Sequence, residues 1–337
     1  MASLSFLLGM VPSTEKVETA DDQLRADYAS FKDFENSDEL KHYLELEKEV
    51  KSSAFALRKR KMKKAAYRDS EEFTKETEYK VLRKSDKILW YFKTKKRYPF
   101  KEIERWDLTF DEKFNESKLD TSKWMTQNYW GEKGMQEPYA MDDDKSFPTN
   151  GKNIEFYDGK ARIVTKAARA NGLVWRPDQG FVREDFDFTS GMISTARSFR
   201  QKYGVFNAKI KMSGSSVAQA FWMISDTMLP HIDVARFENN KLYCNYFWGT
   251  GTSPNKSLSK TGGAKYADEY FIYTLEWTPN KLTWKINGKV FKTQTSGVPQ
   301  EEMVINFSSN LKKDADESGL PCAMEIDWVR VYKLKGK

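Results

Sequence analysis

From Asp21 to about Lys96 the apolar residues recur at helical spacing, as in Leu40, Tyr43, Leu44 and Val50, then Phe73, Tyr79, Val81 and Leu82. This pattern predicts helices rather than strands. Ser37-Asp38-Glu39-Leu40, Ser70-Glu71-Glu72-Phe73 and Ser85-Asp86-Lys87-Ile88 all read as helix starts. In each, a serine can cap free amides while the acids sit at the positive end of the helix dipole. The stretch KRYPF, Lys96 to Phe100, with its proline, is the predicted end of the helical region. After Trp106 the period shortens to two. In KLTWKINGKVFKTQT, Leu282, Trp284 and Ile286 alternate with polar residues, and Asn287-Gly288 marks a tight hairpin. GKNIEFYDGKARIVTKA and YGVFNAKIKMSG read the same way. Such strands over the rest of the chain predict two packed antiparallel sheets. The expected organisation is an α-helical extension over residues 1–100 followed by an all-β sandwich over 101–337.

With 337 residues, 39% of them hydrophobic and 14% aromatic, the chain can bury one large core or two unequal ones. The opening MASLSFLLGMVPS has no basic residue ahead of its apolar run, and no span long enough to cross a membrane follows. The expectation is a chain without a recognisable export signal, cytoplasmic or incorporated into a larger particle. Cys244 and Cys322 are the two cysteines, without metal-type spacing, and read as free thiols in a reducing compartment.

Charge separates the two parts further. Residues 51–100 hold 17 Lys or Arg against 6 Asp or Glu, a surplus of 11, while the whole chain carries +7. LRKRKMKK, with Arg58, Lys59, Arg60 and Lys61 at its centre, would attract phosphate backbones, anionic lipid or an acidic protein surface. No recognised nucleic-acid-binding motif accompanies it. The reading is therefore docking onto protein partners, helped by Trp90, Tyr91 and Phe92, which a thin helical extension has little core to hide.

The β part resembles glycoside hydrolase family 16, the laminarinase and β-glucanase group with a concanavalin A-like jelly roll. Several segments carry the resemblance in family order: LTFDEKFNESKLDTSKW, FTSGMISTARSFRQKYGVFNAKIKM, QAFWMISDTMLPHIDVARF, YTLEWTPNKLTWKINGKVF and MEIDWVRVYK. The resemblance implies two curved antiparallel sheets and a retaining hydrolase site. That chemistry needs two carboxyl groups about 5–5.5 Å apart. The family supplies them as Glu-x-Asp-x-Glu on a regular strand, or Glu-x-Asp-x-x-Glu where a bulge restores the facing. Laid on HIDVARF, the nucleophile position falls on His231 and the Asp is kept as Asp233. The acid/base position falls on Ala235 in the regular register and on Arg236 in the bulged one. Glu238 would lie about 13 Å along the strand from Asp233, too far to serve.

AQAFW also leaves Ala218 and Gln219 where the family often has Trp and Pro, and Thr189-Ser190-Gly191-Met192 stands where Thr-Ser-Ala-Arg is common. The resemblance thus implies a fold without its catalytic pair: a structural or glycan-recognising component of a larger assembly, such as a virion or injection-type particle, docked through its helices. The alternatives are an active β-glycan hydrolase with a rearranged site and a nucleic-acid-associated protein working through its basic helices. Trp130, Trp222, Tyr246 and Trp248 are the candidate sugar-stacking residues, and His231 with Asp233 reads as a hydrogen-bonded pair. No cofactor is expected. The family resemblance adds one metal position, a structural Ca²⁺ with Asp327 as the matching ligand.

Overall fold

The computed structural model describes residues 11–128 and 137–336. It divides into a helical unit, Glu18–Trp106, and a β-sandwich that begins again at Asp107 and also takes in residues 11–17.

In the helical unit, Ser37, Ser52, Ser70 and Ser85 each accept a backbone N–H three residues on, opening the helices Asp38–Val50, Ser53–Lys61, Glu71–Leu82 and Asp86–Arg97. Ser52 lacks acids in its first turn, which is why it escaped the sequence reading. Pro99 ends one helix rather than the helical region, because Lys101–Arg105 forms a further turn. The division therefore falls at Trp106, six residues later than expected.

The expectation of a unit too thin for its own core is also corrected. Phe31, Phe34, Leu40, Tyr43, Leu46, Tyr79, Ile88, Tyr91 and Phe100 close into a buried cluster. Tyr91 is 2% exposed and stacks on Phe31 with ring centroids 5.1 Å apart, so it is not available for docking. Trp90 is partly buried against the same cluster, while Phe92 is 38% exposed. Part of the basic run is neutralised from within. Arg58 pairs with Glu49 and Glu72, and Lys59 with Glu76 at 2.6 Å. Hydrogen bonds from Lys59, Lys80 and Tyr67 hold the Glu76 carboxyl down at about 2.

In the sandwich, the backing sheet runs Ile154–Tyr157, the first part of Lys160–Arg176, then Cys322–Leu334, Gly204–Lys211, Tyr270–Thr278, Lys281–Ile286 and Lys289–Gln294. The facing sheet runs from the end of Gly180–Ser194 through Val304–Asn310 and Ala218–Ile224 to His231–Glu238, which then pairs with Lys241–Tyr243 and Tyr246–Thr250. Alternation sends one set of side chains inward. Gly204–Lys211 is buried at every second residue, and Phe206, Ala208 and Ile210 join Phe221, Ile232, Trp284 and Phe307 in one core. The hairpin read at Asn287-Gly288 is present, with both residues at positive φ, 47° and 77°. Asn287 also fastens the start of the chain. Its amide donates to Pro12 O at 2.9 Å and to Thr14 Oγ1 at 3.0 Å, and the Thr14 hydroxyl donates to Tyr270 O.

Candidate functional site

The outer face of the second sheet carries a cleft of about 490 Å³. Which residues face it is decided by one irregularity. Ala218–Ile224 pairs Trp222 with Asp233 but Phe221 with Ala235, leaving Val234 as the extra residue of a bulge. His231, Asp233 and Arg236 therefore all line the cleft, whereas Ile232, Val234, Ala235 and Phe237 are buried in the core. Of the two registers open to the sequence, the bulged one is adopted. Trp284, from the backing sheet, donates its indole N–H to Asp233 O at 2.9 Å, and Asn245 O accepts the Asp233 amide at 2.9 Å. These partners satisfy backbone groups next to the bulge that an unbroken ladder would otherwise pair. Trp284 was read from sequence only as an alternating core residue, and nothing in a single strand's pattern points across the sandwich.

Asp233 is 3% exposed, and both its oxygens are used. His231 Nε2 lies 3.0 Å from Oδ1, and Asn245 Nδ2 donates to Oδ2 at 2.9 Å. Burial by itself would raise the Asp233 pKa, but the His231 hydrogen bond, the charges of His231 and Arg236 and the Asn245 amide outweigh it and hold the carboxyl below its ordinary range. His231 is gripped between aromatic rings, stacked on Trp222 at 5.1 Å and met edge-on by Phe247 at 5.8 Å. Trp222 donates its indole N–H to Ser308 Oγ at 3.1 Å and lines the cleft rather than the core. Arg236 turns Nε and Nη2 onto one oxygen of Glu238, at 3.1 and 2.8 Å. Opposite them, Lys312 joins Asp144 at 2.7 Å and Asp143 at 3.1 Å. Burial would pull the lysine's pKa down, and the two carboxylates more than offset it.

Two aromatic assignments are corrected by strand phase. Tyr246 is fully buried and its hydroxyl donates to Gly297 O, so no sugar can reach its ring. Trp248 points the same way, stacked on Tyr246 at 4.7 Å and covered by Gly297, where an added Cβ would come within 2.2 Å of the indole. Between them, Phe247 faces the cleft, a residue the sequence reading passed over although period-two alternation offered exactly two phases to choose from. Trp130 lies outside the described residues. Asp327 is paired with Lys209 at 2.8 Å, and no cluster of three potential metal-binding side chains occurs among the described residues.

Two packed antiparallel sheets with a cleft on the outer face of one of them define a jelly-roll sandwich. The model of glycosyl hydrolases family 16 matches residues 141–330, and the chain belongs to that family. It is 22% identical over 265 residues to a glucan endo-1,3-beta-glucosidase A1 of Niallia circulans, covering 67% of this chain and 38% of that protein. It is 27% identical over 126 residues to a beta-1,3-glucan-binding protein 2 of Manduca sexta, covering 31% of this chain and 25% of that protein. The laminarinase catalytic domain of Thermotoga maritima shares the fold with a TM-score of 0.53 at 17% identity, over 68% of this chain and 98% of that domain. The chain thus spans well under two thirds of these two sequence relatives and nearly all of the solved catalytic domain.

Proposed function

We propose that this chain is a non-hydrolysing member of family 16 that recognises a β-glycan in its cleft. One observation carries the reading. The bulged register puts His231 and Arg236 at the cleft-facing positions on either side of Asp233, each already paired with a carboxylate. Retaining hydrolysis needs a carboxylate nucleophile and a protonated acid about 5–5.5 Å from it. A guanidinium does not release a proton near neutral pH, and imidazole does not reproduce the family's carboxylate ester. Asp233, held ionised, is no proton donor. The remaining surface suits sugar: Trp222 and Phe247 offer ring faces and edges, while Asn245, Ser308 and Asn310 offer hydrogen-bonding groups. The beta-1,3-glucan-binding relative supports recognition as a role for such a domain. In this reading the helical unit, with its basic run, joins the module to protein partners in a larger assembly.

The test is reducing-end release from laminarin and lichenan by the full chain, with laminarin binding measured by calorimetry alongside. Binding without turnover is expected, weakened about tenfold by Trp222→Ala, equivalent to ~1.4 kcal/mol. Turnover above a denatured control, abolished by Asp233→Ala, overturns the proposal. His231→Glu alone should give no activity, because the acid/base carboxyl is still missing.

A further inference from the structure

The second half of Lys160–Arg176 and the first half of Gly180–Ser194 pair as an arm beyond the two main sheets, with Tyr139–Met141 running parallel along one side. Register fixes which side chains share a face. Tyr139 pairs with Leu173, Met141 with Trp175, and Trp175 with Phe181, so all five point the same way. Ala140, Val174 and Val182 point the other way, into a small apolar cluster around Phe147 and Phe186. The first face is therefore the cleft's own: Tyr139 and Met141 line the cleft, and Phe181 meets Tyr139 edge-on at 5.0 Å. Trp175 and Phe181, 5.1 Å apart, are 38% and 39% exposed.

We propose that Trp175 and Phe181 form an outlying subsite that takes further units of the same β-glycan held in the cleft, an inference that rests on the glycan-recognition reading above. Three features favour a sugar chain over an apolar partner. The aromatic surface is continuous with the cleft through Tyr139 and Met141. It is small, two ring faces wide. It is also edged by a charged pair on the same face, Arg183 held by Glu137 at 2.8 Å. Flat aromatic faces with fixed polar groups at their rim match a pyranose, which is apolar on its axial faces and ringed by hydroxyls.

Chain length is the measurement. The full chain is titrated with laminaritriose, which fills the cleft alone, and with laminarin, which reaches the arm. Replacing both Trp175 and Phe181 with Ala should weaken laminarin binding about tenfold, equivalent to ~1.4 kcal/mol, and leave laminaritriose affinity unchanged. Trp175→Phe should retain most of the laminarin affinity, and an unchanged melting temperature in both variants confirms the fold. Unchanged laminarin binding in the double variant overturns the subsite, as does a parallel loss for both probes. If the unaltered chain binds neither probe, the glycan reading of the cleft fails and the subsite with it, an outcome distinct from failure of the subsite alone.

Discussion

A carboxylate as buried as Asp233 is tolerated because its charge is answered on both oxygens. Its folded pKa lies below the unfolded value of about 3.9, so the folded state binds fewer protons in that range. The stability this contributes is fully present above the unfolded pKa and is lost as the pH falls through the lower folded value. Removing the main opposing partner leaves burial to dominate. His231→Ala should therefore move the acid-unfolding midpoint, followed by circular dichroism, to higher pH; an unmoved midpoint would show that the pair carries no such linkage. The Lys312–Asp144 pair permits a second test, with side chains 16% and 2% exposed. Lys312→Met alone strands the Asp144 charge and should cost about 3 kcal/mol in denaturant unfolding. Adding Asp144→Asn keeps an acceptor for the Met141 amide, which the carboxylate now takes at 2.8 Å, and should recover much of that loss. At this scale the sequence was readable where two residues share a strand face, as His231 and Asp233 do. It was not readable where phase alone decides, as with Tyr246, Phe247 and Trp248.

Elements show the same limit. The serine caps at Ser37, Ser70 and Ser85 were legible because a cap is local: the residue and the amides it satisfies lie within one turn, and Ser52 was missed for want of acids beside it. Each of Ser37→Ala, Ser52→Ala, Ser70→Ala and Ser85→Ala should cost about 0.5–2 kcal/mol in thermal or denaturant unfolding of the helical unit. The bulge at Val234 was not legible, since HIDVARF fits both registers and the choice depends on partners from three other segments: Phe221 and Trp222 beside it, Asn245, and Trp284 across the core. Deleting Val234 would remove the extra residue and leave Asp233 opposite Trp222, Ala235 opposite Phe221 and Arg236 opposite Ala220, the pairing already present, so Arg236 should keep its place in the cleft. The loss is then that of one buried valine side chain and of the irregular backbone geometry around Asp233. The expected result is a cooperative unfolding transition at a lowered midpoint, and loss of cooperativity would show that the bulge itself is needed for the sheet to close.

For the whole molecule, the change of hydrophobic period after Trp106 coincides with the division, because a switch from helical to alternating spacing is a property of the chain itself, whereas the boundary drawn at residue 100 from the proline falls six residues early. Two features escaped it. One is that the helices bury aromatic residues among themselves, which depends on how helices distant in sequence pack, as Phe31 does on Tyr91. The other is that residues 11–17 return to the sandwich. A chain beginning at Lys101 should still fold, since the strands hold their own core, but it lacks the contacts that Pro12 and Thr14 make with Asn287 and Tyr270. Its melting temperature should fall below that of the sandwich transition in the full chain, read by calorimetry.

That fastening also sets the path of mechanical load. A pull on the chain ahead of Val11 is borne first by the Asn287 amide and the Thr14 hydroxyl, and so passes straight into the backing sheet at the Tyr270–Thr278 and Lys281–Ile286 strands. The helices of Glu18–Trp106, flanked on both sides by segments of the sandwich, carry no tension until that clasp gives way. A tether at the front of this protein would therefore strain its β-sheet while its helices stayed slack, and single-molecule extension should show the helical unit lengthening only after the clasp has opened.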